Sequence, residues 1–142
     1  MSEVLLSVKN LTIDYIGAEK DFRAVDQVSF EVAPGEVFGL AGESGCGKST
    51  VAFAVSRLHG PPALIRRGSE IRLAGRDVLD LDARALRDFR WREVAMVFQS
   101  AMNSLNPVLR IEEQFYDVLA THNRCTRKEA RERTAEMLRL VD

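Results

Sequence analysis

The residues best suited to chemistry lie in one glycine-rich stretch, residues 42–50, which reads G-E-S-G-C-G-K-S-T. This is the pattern G-x-x-x-x-G-K-[ST], which is typical of loops that bind the phosphates of a nucleotide. The glycines let backbone N–H groups converge on an anion without a clash from a Cβ atom. Lys48 would pair with the terminal phosphates, and the Ser49 hydroxyl would bind Mg²⁺. The stretch therefore predicts a site for a nucleotide and a magnesium ion.

The segments on either side of this stretch predict the elements that would position it. Residues 36–41 (E-V-F-G-L-A) form a short apolar run after a Pro-Gly turn, as expected of a buried parallel strand. Residues 49–58 predict an apolar helix that ends before the G-P-P sequence. A strand, a glycine-rich loop and a helix in this order are the context that the phosphate-binding pattern requires. The helix would add the positive end of its dipole to the site.

The composition narrows the function classes. The chain has 142 residues, enough for one domain or part of one, and its 46% hydrophobic and 29% charged residues indicate a globular fold. The net charge of −1 argues against a dominant electrostatic attraction to nucleic acid or anionic lipid. Two cysteines make no disulfide framework and favour a reducing compartment. No apolar stretch reaches transmembrane length and no secretory signal opens the chain, so we expect a cytoplasmic location.

The N-terminal part of the chain predicts an antiparallel β layer. Residues 5–14 alternate in part between apolar and polar side chains, which predicts a strand that Tyr15 follows. Residues 17–23 predict a polar loop, and residues 24–32 alternate again. These two strands would lead into the strand before the glycine-rich stretch.

The middle of the chain predicts a loop, a hairpin and a helix. Residues 60–68 predict the loop, and residues 70–73 and 77–79 predict a β-hairpin around an A-G-R turn. Residues 80–90 carry apolar side chains at helical spacing. Asp82 is a candidate N-cap of this helix, and its arginines would form a solvated face.

The last third of the chain predicts one more strand and two more helices. Residues 93–98 (E-V-A-M-V-F) predict a second buried parallel strand, which ends at Gln99. Residues 100–107 predict a polar loop, and residues 108–121 predict an amphipathic helix. The T-R-K-E sequence that begins at Thr126 is a capping box, which would open the final helix.

The order of these segments resembles the nucleotide-binding domain of ABC transporters. The segment V-F-Q-S-A-M-N-S-L-N-P at residues 97–107 is similar to the ATP-binding subunits of the peptide/nickel importer group, the dipeptide and oligopeptide permeases. The segments A-V-D-Q-V-S-F and E-S-G-C-G-K-S are similar to the same group, and the resemblance covers essentially the whole chain. It implies an α/β fold with an antiparallel β layer at 1–36. A P-loop NTPase (RecA-like) core up to the Gln-loop would occupy 37–99, and the start of a helical subdomain 100–142.

The resemblance also implies roles for residues of this sequence. Tyr15 matches the aromatic residue that stacks on adenine, with Phe22 as the alternative. Lys48 would pair with the β- and γ-phosphates, and Thr50 would hold the α-phosphate side. Five loop residues would cradle the phosphates with backbone N–H groups: Gly42, Ser44, Gly45, Cys46 and Gly47.

Cofactors and partners follow from the same resemblance. The implied cofactors are ATP and Mg²⁺, and Ser49 and Gln99 would ligate the metal. Gln99 would also orient the attacking water and sense the membrane partner. The implied partners are membrane-spanning permease subunits, a second ATP-binding subunit in a homo- or heterodimer and, indirectly, a solute-binding protein, with no nucleic acid.

The implied function is to couple ATP binding and hydrolysis to the import of peptides or similar small solutes. The chain would act peripherally at the cytoplasmic face of the plasma (inner) membrane. Alternatives are a nucleotide-binding remnant without turnover and a non-transport ABC ATPase.

The sequence departs from the family pattern in its second half. It contains no L-S-G-G-Q-type signature and no apolar run that ends in Asp-Glu, where the family has its catalytic Glu. Neither His59 nor His122 matches the switch His. We therefore expect the N-terminal part of a longer protein, a truncated reading frame or an engineered fragment. Such a chain would leave core strands partly uncovered and would bind ATP without hydrolysing it.

Overall fold

A computed structural model describes residues 4–99, 105–123 and 125–141. The chain divides into two compact units, Met1–Arg90 and Trp91–Asp142, and each is described by itself. The predicted division at 36 and 99 stays a prediction. The predicted loop at 100–107 and the N-S-L-N-P segment lie partly outside the described residues, which begin again at Leu105.

The first unit is built on a five-stranded sheet in which every pair of neighbouring strands is antiparallel. Its strands are β1 (Leu6–Tyr15), β2 (Phe22–Val32), β3 (Ala63–Ile65), β4 (Glu70–Leu73) and β5 (Arg76–Asp77). One edge of β1 pairs with β2, and the other edge is shared by β4 at its start and β3 at its end. The predicted antiparallel layer and the β4–β5 hairpin are confirmed. Because β1 ends between β2 and β3, its last residue is held from both sides.

The core of the first unit contains side chains from the sheet, from α1 (Lys48–Val55) and from α2 (Ala83–Arg92), whose last two residues belong to the second unit. The register of β1 against β2 shifts between Val8 and Leu11. The buried apolar side chains of β1 therefore lie at position 8 before the shift and at positions 11 and 13 after it. The fully buried large side chains are Val8, Leu11, Ile13, Ile71, Val78 and Phe89. Asp82 caps α2 as predicted, since its carboxylate accepts a hydrogen bond from the Ala85 N–H at 2.8 Å.

Two arginines fix the end of α1. The Arg57 guanidinium donates to the carbonyls of Val78 and Leu79 at 2.9 and 2.7 Å. The Arg90 Nε donates to the Ser56 carbonyl at 3.1 Å. Arg90 is therefore not part of a merely solvated face as predicted, because its long side chain reaches across to backbone carbonyls at a helix end.

Both predicted parallel strands are wrong for the described part of the chain. Residues 36–41 and 93–98 belong to none of the five strands, and Val37 and Val97 are 98% and 89% exposed. A continuous apolar run becomes a buried strand only where neighbouring strands and layers cover it. The first run is nevertheless anchored at one point, since the Phe38 ring stacks on Phe30 with centroids 4.9 Å apart.

The predicted loop at 60–68 is wrong in part, because β3 lies inside it. Three residues there pair with the end of β1, from Ile13 opposite Ile65 to Tyr15 opposite Ala63. The run is too short to show a period of two, which is why the sequence did not reveal it. Predicted helix bounds differ from the observed ones by up to three residues at each end.

The second unit contains α3 (Ile111–Asn123) and α4 (Arg127–Arg139) after the last residues of α2. The predicted capping box opens α4: the Thr126 hydroxyl accepts from the Glu129 N–H, and the Glu129 carboxylate accepts from the Thr126 N–H. The Thr126 N–H and then the Thr126 hydroxyl, which both donate to the Glu129 carboxylate, hold the pKa of Glu129 below its ordinary value. Trp91 stacks on His122 with ring centroids 4.5 Å apart, which joins the end of α2 to the end of α3.

A buried carboxylate holds three strands of the first unit together. Asp14 of β1 is 4% exposed, and it accepts from Arg23 Nε of β2 at 3.0 Å and from Arg66 Nε, just after β3, at 2.6 Å. Hydrogen bonds and charge from Arg23, and then from Arg66, hold the pKa of Asp14 below its ordinary value. This ion cluster fixes the strand end that carries Tyr15, and nothing in the residue spacing predicted it.

We expect Asp14→Asn to lower the melting temperature by several degrees at neutral pH, because two guanidinium groups lose their carboxylate. Asp26→Asn is the matched control: Asp26 is an exposed partner of Arg23, so this variant should melt close to wild type.

The stability that Asp14 contributes should depend on pH. Because folding lowers the pKa of Asp14, this stability is complete above the ordinary pKa of about 4 and is lost as the pH falls below it. Thermal melts of both variants from about pH 7 to 3 would check this. An equal difference in melting temperature between wild type and Asp14→Asn at every pH would contradict this prediction.

Candidate phosphate-binding site

The glycine-rich stretch forms an exposed loop that runs directly into α1. Gly47 is the N-cap of the helix, with a left-handed backbone at φ 92°. A Cβ atom at Gly47 would lie 2.4 Å from the Ala24 carbonyl oxygen, so the loop packs against β2 at a distance that only glycine permits. The free N–H groups of a helix start and the helix dipole favour an anion at this place.

The Lys48 side chain folds back over the loop. Its Nζ donates to the carbonyls of Gly42 and Glu43 at 2.8 and 2.6 Å and lies 3.4 Å from the Cys46 Sγ. The ammonium group is thus held at the loop by neutral acceptors. A phosphate oxygen, which carries negative charge, would accept a stronger hydrogen bond from the same ammonium group. An anion at the loop would therefore compete with these internal contacts for the Lys48 ammonium group.

The structure brings Tyr15 and Thr50 together. Tyr15 ends β1, Thr50 lies in the first turn of α1 with 8% exposure, and their hydroxyl oxygens are 3.3 Å apart. Phe22, the alternative aromatic residue, pairs with Tyr15 across β1 and β2 and is largely exposed. Both aromatic candidates therefore sit at the same end of the sheet. The contact joins residues 35 positions apart, and no sequence pattern signals it.

The two predicted magnesium ligands lie in different units. Ser49 is exposed in the first turn of α1, and Gln99 is exposed in the second unit after residues 93–98. A hydroxyl and an amide carbonyl are oxygen donors of the kind that Mg²⁺ prefers. The roles of both residues stay predictions.

Comparison with known proteins decides the family. The model of the family described as ABC transporter matches residues 25–142. The chain belongs to the ABC transporter family. This confirms the resemblance drawn from the glycine-rich loop and the Gln99 segment, and with it the α/β P-loop fold class. The exposed glycine-rich loop before α1 is compatible with this family.

Relatives of this ABC transporter chain carry names from peptide transport. It is 40% identical to the probable peptide ABC transporter ATP-binding protein of Sinorhizobium fredii, over 99% of this chain and 42% of that protein. It is 42% identical to the peptidoglycan transport ATP-binding protein YejF of Agrobacterium fabrum, over 96% of this chain and 25% of that protein. It is 39% identical to the dipeptide transport ATP-binding protein DppD of Haemophilus influenzae, over 96% of this chain and 41% of that protein.

The ABC transporter chain spans only part of these relatives, about two fifths of the length of two of them and a quarter of the third. Among its described residues, no helix has the length and apolar character needed to cross a bilayer.

Proposed function

We propose that this chain is the nucleotide-binding part of an ATPase subunit that powers an ABC importer of peptides or similar small solutes. The observation that carries the proposal is the loop at the start of α1, where Lys48 Nζ lies on the carbonyls of Gly42 and Glu43. ATP would replace these internal contacts, with its phosphates on the loop N–H groups and on Lys48. The names of the relatives support peptides as the solute class.

The other site residues have supporting roles in this proposal. Tyr15 would stack on adenine, with Phe22 as the alternative at the same strand end, and Thr50 would hold the α-phosphate side. As magnesium ligands, Ser49 and Gln99 would each offer an oxygen donor of the kind that Mg²⁺ prefers. When bound, the ion would neutralise phosphate charge. Gln99 would place water and would respond to permease subunits.

The second candidate is a nucleotide-binding remnant without turnover. The exposed apolar runs at 36–41 and 93–98 favour it for the isolated chain, since exposed apolar segments promote association. Both candidates predict that the isolated chain binds ATP without hydrolysing it, so a transport assay must separate them.

A chimera separates the two candidates. Residues 1–142 would replace the matching part of DppD from Haemophilus influenzae, and uptake of a labelled dipeptide would be measured in cells that lack the native subunit. We expect uptake at least about tenfold above that of the same chimera carrying Lys48→Ala, the equivalent of one lost charge-assisted phosphate contact. The Lys9→Ala chimera is the control for loss of a lysine at an exposed strand position.

Absence of uptake by a chimera that accumulates normally and co-purifies with the permease subunits would contradict the transport proposal and favour the remnant.

A further inference from the structure

The hydroxyl contact between Tyr15 and Thr50 joins the two halves of the proposed nucleotide site. Tyr15 belongs to the strand end that would meet the base, and Thr50 belongs to the helix turn that would meet the phosphates. Their oxygens are 3.3 Å apart, and either hydroxyl can be the donor. A ring that only stacks on a base needs no hydroxyl, so this contact indicates a second task for Tyr15.

Both partners in the contact are held by their own elements. The Tyr15 backbone pairs with Phe22 on one side and Ala63 on the other, and the next N–H, of Ile16, donates to the Pro62 carbonyl at 2.9 Å. The start of α1 is held by the close approach of Gly47 to the Ala24 carbonyl. The hydroxyl contact therefore joins a residue paired on both sides to the first turn of a helix whose N-cap packs closely on β2.

We propose that Tyr15 is a positioning residue whose hydroxyl, acting through Thr50, sets the first turn of α1 relative to the end of β1. This inference rests on the proposed function, because it assigns part of the effect of Tyr15 on ATP affinity to the phosphate side of the site. The glycine-rich loop before this turn is exposed. A fixed first turn reduces the ordering that nucleotide binding must supply.

The test is a double-mutant cycle on the equilibrium affinity of the chain for Mg-ATP. Tyr15→Phe keeps the aromatic face and removes only the hydroxyl, and we expect affinity to fall about 3- to 10-fold, the usual worth of one such hydrogen bond. In the Thr50→Val background the same Tyr15→Phe change should have no further effect. In the Thr50→Ser background, which keeps a hydroxyl, it should again cost about 3- to 10-fold.

Controls separate positioning from other effects. Tyr116→Phe removes the hydroxyl of the other tyrosine of the chain and should leave Mg-ATP affinity unchanged. Melting temperatures without nucleotide report any purely structural role. A Tyr15→Phe variant that melts lower but binds Mg-ATP like wild type would overturn the proposal, and so would an equal loss in the presence and absence of the Thr50 hydroxyl.

The same measurements distinguish an error in the proposed function from an error in the positioning role of Tyr15. If Mg-ATP affinity does not depend on Lys48, the site itself is wrong, and the positioning role falls with it. If affinity depends on Lys48 but the cycle shows no coupling, only the positioning role is overturned.

Discussion

Lys48→Ala is expected to weaken binding of Mg-ATP at least about tenfold, or about 1.4 kcal/mol. The variant removes the ammonium group that lies over the loop, which donates to the carbonyls of Gly42 and Glu43 in the structure. A negatively charged phosphate oxygen accepts a stronger hydrogen bond from the ammonium group than these neutral carbonyl oxygens do, so the loss falls mainly on the nucleotide-bound state. Competition of ATP against a fluorescent ATP analogue in the presence of Mg²⁺ would measure it.

Lys9→Ala is the matched control for this experiment. Lys9 is an exposed residue of β1 and lies opposite Glu70 of β4. It is about 20 Å along the strand from Tyr15 at the usual rise per residue. It should bind Mg-ATP like wild type. Equal affinities for wild type, Lys9→Ala and Lys48→Ala would exclude the loop as the nucleotide site.

Gly47→Ala is expected to have the largest effect on stability and to abolish nucleotide binding. The new Cβ would lie 2.4 Å from the Ala24 carbonyl oxygen, at a backbone φ of 92°. Left-handed strain and the clash together suggest a loss of about 2–5 kcal/mol in the free energy of unfolding. Denaturant unfolding and the same competition assay would measure the two effects.

Two other glycines make this a graded series. Gly45→Ala introduces strain at φ 80° with no atom within 4 Å, and should cost about 1 kcal/mol. Gly60→Ala has neither a positive φ nor a close neighbour, and should stay within about 0.5 kcal/mol of wild type. If Gly47→Ala were as stable as Gly60→Ala, the close packing of the loop on β2 would be wrong.

Local chemistry was predictable from sequence where it depends on neighbouring residues. The loop glycines with Lys48, the Asp82 cap and the Thr126 capping box each follow from residue types at fixed short spacing, and the structure forms the loop and both caps. The β1 and β2 strands followed from partial alternation, which in β2 matches half-buried Val28, Phe30 and Val32 between exposed polar residues.

Features that depend on distant residues were not predictable. The Asp14 cluster joins side chains up to 52 positions apart, and the contact of Tyr15 with Thr50 spans 35. The apolar runs at 36–41 and 93–98 carry the pattern of buried strands, but burial requires neighbours, and the pattern alone cannot supply them.

The most direct test of the central claim is a titration of the purified chain with ATP, ADP and AMP in the presence of Mg²⁺. A site built from the loop N–H groups and Lys48 recognises the terminal phosphates. We therefore expect saturable binding of ATP and ADP and at least about tenfold weaker binding of AMP. No saturable binding, or equal affinity for AMP and ATP, would contradict a phosphate-binding site at the start of α1.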